Sequence, residues 1–105
     1  MTLEESLAKI EHETNRGIAY GSRMGDYGTK ESFAELIKAI GVVRDHIEGQ
    51  TTVDRRLVGN LFVLGNQVEG NVHGALAKGL SVPEWLWDQG IIDLNQVLYE
   101  VFDAE

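Results

Sequence analysis

Residues 52–79 read TVDRRLVGNLFVLGNQVEGNVHGALAKG. Val53, Leu57, Leu61, Leu64, Val68, Val72 and Ala75 recur every three or four positions. At about 100° per residue they share one arc of a helix, which Val58 and Leu76 widen. This is the strongest periodic signal in the chain, and it predicts a central helix over 52–79, either continuous or as two collinear pieces. Gly59, Gly65, Gly70 and Gly74 work against it, because each costs about 1 kcal/mol relative to alanine inside a helix. Gly59, Val63, Gly70, Gly74 and Ala77 form a second, narrow stripe away from the apolar face. A seam of small residues admits a close backbone. Three readings stand: the first or last helix of the same chain packs there, a second protein or second copy docks there, or the helix breaks near Gly70.

The flanking segments are also helical in spacing. Thr2 and Glu5 have capping-box spacing ahead of the stripe Leu3, Leu7 and Ile10, so a helix over about 2–16 is expected, ending at Gly17. Ser32 and Glu35 repeat the box before Phe33, Leu36, Ile37, Ile40, Val43 and Ile47, predicting a helix over 32–48 with a stop at Gly49. Thr51 or Thr52 then caps the central helix. Ser81 and Glu84 bracket Val82-Pro83 and open a short helix near 82–89 that stops at Gly90. Asp93 with Gln96 caps a last helix over 93–103, whose apolar face is Leu94, Val97, Leu98, Val101 and Phe102. No alternating strand pattern competes. The expected fold is all-α: one domain over 1–105, an antiparallel bundle of four main helices plus a short one, with short connections joining neighbouring helices. Residues 17–31 are left as a long glycine-rich loop.

Composition narrows the chemistry. The chain of 105 residues has no cysteine, which excludes disulfides, thiolate zinc sites and a cysteine nucleophile. Its acidic start, MTLEESLAKIEHE, lacks a basic region leading into an apolar stretch, so no secretory leader is expected and the cytoplasm is the expected compartment. No run is long and apolar enough for a membrane span. The net charge is −8. Residues 17–80 balance, whereas 81–105 carry Glu84, Asp88, Asp93, Glu100, Asp103 and Glu105 with no Lys or Arg. That field repels nucleic acid and anionic lipid and attracts a basic partner.

Two local features invite a functional reading. Trp85 and Trp87, two positions apart, point to opposite sides of a helix, and one core does not easily hold both. A surface Trp beside Glu84, Asp88 and Asp93 suits a binding anchor, whereas a short helix wedged between layers buries both. Residues 17–30, GIAYGSRMGDYGTK, match neither phosphate-loop pattern. Tyr20, Arg23 and Tyr27 are the residue types that anchor protein contacts; together with Asp26 and His73 they are also the candidates for a ligand site under a lid. Glu69 and His73 are helix neighbours, but two ligands do not make a metal site, and no nucleophile elbow or HExxH motif is present. The expectation is a chain without cofactor or metal. It is a non-enzymatic acidic helical protein that occludes a basic protein partner, as bacterial immunity and antitoxin proteins do. The alternatives are a homodimeric scaffold joined through the glycine seam and a small-ligand domain with 17–30 as lid.

Overall fold

The central segment forms a single helix. In the computed structural model, which describes residues 1–103, α1 spans Leu3–Asn15, α2 Ile18–Gly21, α3 Lys30–Ile47, α4 Arg55–Ala77 and α5 Ile91–Phe102. A 3₁₀ turn at Ser22–Met24 and a π turn at Leu86–Gly90 complete the elements, and no strand occurs among the described residues. α4 runs unbroken through Gly59, Gly65, Gly70 and Gly74, so the expected alternative of a break near Gly70 fails. Its start lies later than expected. Asp54, rather than Thr51 or Thr52, caps it by accepting from the backbone N–H groups of Arg56 at 2.8 Å and Leu57 at 3.1 Å. Its end is closed by Gly79 at φ 75°, with Gly79 N–H donating to Leu76 and Leu80 N–H to Ala75. That pair of bonds satisfies carbonyls the last turn would leave open.

α1 carries the expected box, with Thr2 Oγ1 accepting from Glu5 N–H at 3.1 Å and Glu5 Oε1 from Thr2 N–H at 2.9 Å. α3 does not. Its cap is Thr29, which accepts from Ser32 N–H at 3.0 Å, three residues ahead of the expected one. Ser32 Oγ instead accepts from Lys9 Nζ of α1 at 2.8 Å. Gly28 at φ 69° turns the chain into that cap.

The loop expected over 17–31 is also largely structured. Gly17 approaches α1 so closely that a Cβ there would lie 2.5 Å from Glu13 Oε1. Ile18 N–H then donates to Glu13 Oε2, and Ile18, Ala19 and Ser22 are buried. Asn71 Nδ2 donates to Ser22 Oγ at 2.9 Å, tying the segment to α4.

α1 packs on α3 and α4, and α5 packs on α3 and α4. α3 and α4, consecutive in sequence, face each other across the diagonal; the short connection between them does not make them close neighbours. The chain alternates in direction, as expected. Lys9 meets Ser32 and Glu35, while Leu3 shares a hollow with Val43 and Ile47, so α1 and α3 are antiparallel. Gly65 meets Leu98 and Glu69 meets Asn95, so α4 and α5 are antiparallel too. Two helical hairpins therefore stack, with α1 beside α4 and α3 beside α5 running the same way. The core between them comprises Ile10, Leu36, Ile40, Leu61, Leu64, Val68, Val72, Leu86 and Leu94, all at most 1% exposed.

Candidate functional site

The segment leading into α5 is where local structure departs most from expectation. The helix does not stop at Gly90 and restart at Asp93. Leu86 and Trp87 N–H groups both donate to the Pro83 carbonyl, and Ile91 N–H reaches back five residues to Leu86 O. This widened turn runs straight into α5. Gly90 is what permits it: a Cβ there would lie 2.6 Å from the Trp85 carbonyl oxygen and 3.3 Å from the Phe33 ring. Asp93 is accordingly inside the helix, where its carboxylate accepts from Gln89 Nε2 at 2.8 Å instead of capping.

The π turn separates the tryptophans. Trp85 turns inward onto Phe33 of α3, ring centroids 5.6 Å apart and tilted by 52°. Trp87 turns outward and is 45% exposed. Ile92, at the start of α5, is exposed as well, at 58%. Tyr99, two α-turns beyond Ile92, stands on the same side of α5 and is 69% exposed. Glu84, Asp88 and Asp93 are also exposed. The guanidinium of Arg44, on α3, is occupied: it donates to Asp45 at 2.9 Å and Glu100 at 2.7 Å, which raise its pKa above the ordinary arginine value. The result is an outward face of aromatic and aliphatic groups among carboxylates.

A second exposed surface lies on α4. Gly59, Gly70 and Gly74 have nothing within 4 Å of a Cβ position, and Val63 and Ala77 are exposed. Neither α1 nor α5 covers this stripe, so the in-chain reading of the seam fails. α5 packs instead at Gly65, where a Cβ would lie 2.9 Å from Leu98 Cδ1. That contact, with Asn95 Nδ2 donating to Glu69 Oε2 at 3.3 Å, sets the α4–α5 register, in which Phe102 is level with Phe62. Phe62 is 66% exposed. Phe102, expected in the core, is half exposed, because the core side of α5 is filled by Leu94, Val97 and Val101. Ile92 and Tyr99 were not singled out by the sequence; their signal was two large apolar residues lying off the buried stripe.

The remaining expected residues are dispersed. Tyr20, Arg23 and Asp26 are exposed, but Tyr27 is 8% exposed and belongs to the core. Its placement as an outward anchor is thereby corrected. Arg23 and Tyr27 line a cleft of about 590 Å³ with Gly70 and Gly74, so the 17–30 segment and the glycine stripe adjoin there. His73 is not part of that cleft. Among the described residues no group of three or more His, Asp or Glu side chains is placed to hold a metal, and no helix is long and apolar enough to cross a membrane. The Lys9–Ser32 pair has the composition of a hydrolytic dyad. Lys9, however, also lies 3.6 Å from Glu13 and 3.8 Å from Glu35, so its ammonium serves as a donor joining α1 to α3.

No family model, curated protein or solved structure matches this chain.

Proposed function

We propose that this chain is a cytoplasmic, non-enzymatic interaction protein that binds and occludes a cationic protein, in the manner of an immunity or antitoxin-type inhibitor. The observation that carries the reading is the exposure of Trp87, Ile92 and Tyr99, together with Glu84, Asp88 and Asp93, in a segment without a basic residue. Carboxylates accelerate encounter with a positively charged surface, and large aromatic groups hold the complex once water is excluded around them. Trp87 and Tyr99 are the anchors. Trp85 supports the face from beneath by packing on Phe33.

The test is affinity capture from the source cell in low and then high salt, with identification by mass spectrometry, comparing the wild-type chain with Trp87→Ala and with Lys38→Ala as a control. A basic protein that leaves with rising salt, is kept by the control and is lost by Trp87→Ala supports the proposal. A truncated anchor costs about 2 kcal/mol or more, roughly a thirtyfold loss of affinity. Capture unaffected by Trp87→Ala, or a partner of acidic composition, overturns it.

A further inference from the structure

The exposed edge of α4 toward α5 carries a charge pattern that is its own complement. Arg55, Phe62 and Glu69 are spaced by seven residues, two helical turns with a drift of only about 20°, so they stand in one line. Arg55 is exposed, and neither Arg55 nor Glu69 forms an ion pair among the described residues. Phe62 stands between them, level with Phe102 in the α4–α5 register. Gly59 and Gly65 flank Phe62 three residues away on either side, and Gly59 is open above its Cα.

We infer that this edge is the interface of a two-fold dimer in which α4 packs antiparallel on α4 of a second copy, centred on Phe62. A two-fold axis at Phe62 sets Arg55 of each copy opposite Glu69 of the other, twice, and gathers Phe62 and Phe102 of both copies around the axis. Asn66 then faces the gap at Gly59, whereas Gly65 is already covered by Leu98 of α5. The choice of a second copy over another protein follows from charge. Read along α4, the edge is cationic, apolar, then anionic, which an antiparallel copy of itself neutralises. A cationic partner would instead be drawn to the carboxylates of α5. The overlap, residues 55–69, is about 22 Å long. So short an overlap makes a small interface of the weak, transient class. The dimer is centred on Phe62 of α4 and does not use Trp87, so it stands or falls separately from the inhibitor proposal.

The experiment is sedimentation velocity across a concentration series on the wild-type chain, Arg55→Glu, Glu69→Arg and the double exchange Arg55→Glu/Glu69→Arg, with circular dichroism to establish that each variant folds. The wild type should dimerise within about 100 µM. Each single exchange sets like charges opposite each other twice and should weaken the dimer about tenfold or more. The double exchange should restore it to within a few-fold. Phe62→Ala should give a folded monomer, and Trp87→Ala should leave the dimer intact. A wild-type monomer throughout the series, or a double exchange no better than the single ones, overturns the inference.

Discussion

Gly90 and Gly70 are the same residue type inside helical backbone, yet the structure assigns opposite signs to replacing them by alanine. At Gly70 a Cβ meets nothing within 4 Å. Alanine there gains helix propensity and removes freedom from the unfolded chain, so stability should rise by about 0.5–1 kcal/mol. At Gly90 the same methyl group would lie 2.6 Å from the Trp85 carbonyl oxygen and 3.3 Å from the Phe33 ring. The first of those atoms is backbone, held by the π turn, and cannot swing aside as a side chain would. Relief requires the turn to tighten or the Trp85–Phe33 contact to open. Overpacking of this kind costs about 1–3 kcal/mol, and the gain in propensity offsets only part of it. Urea denaturation followed by circular dichroism reads both effects. With melting temperatures moving roughly 4–8 °C per kcal/mol for a domain of this size, Gly70→Ala should melt a few degrees above the wild type and Gly90→Ala several degrees below it. Tryptophan emission should change in Gly90→Ala alone, since only that variant disturbs Trp85 and Trp87. A Gly90→Ala variant at least as stable as the wild type would refute the argument, because it would mean that the wide turn is not held open by the absence of a side chain.

Asp54→Ala should destabilise the chain by about 1 kcal/mol by freeing two backbone donors, whereas Thr52→Ala should change stability by less than about 0.5 kcal/mol; chemical denaturation distinguishes them. Glu5 titrates below its ordinary value of 4.5 because its carboxylate accepts from the Thr2 backbone and hydroxyl. Its contribution is therefore fully present above pH 4.5 and is lost as the pH falls through the lowered folded-state value. Glu5→Gln keeps the cap but removes its titration, so melting temperatures measured across that acid range should fall less steeply than for the wild type.

The helices were legible because their causes lie within a few residues. The apolar recurrence from Leu57 to Val72 needs only its own spacing to define a buried face, and the box of Thr2 with Glu5 closes within one turn. The Ser32–Glu35 box satisfied the same local rule and still failed, because Thr29 caps the helix three residues earlier and leaves the Ser32 oxygen to Lys9, twenty-three positions away. Among the glycines of α4, Gly65 alone meets another helix, and nothing in the sequence distinguishes it from Gly59, Gly70 or Gly74. Tyr27 reads as a surface anchor and is buried; Phe102 reads as core and is half exposed. Gly90 reads as a stop and instead supports the turn that sends Trp85 inward and Trp87 outward. Fold class, helix positions and the concentration of acid after Lys78 thus belong to the sequence, since periodicity, capping and charge act over short range or simply add. The diagonal placement of α3 and α4, the two exposed faces and the fate of each tryptophan were decided only in the folded chain, where contacts between distant residues determine which side of each helix is covered.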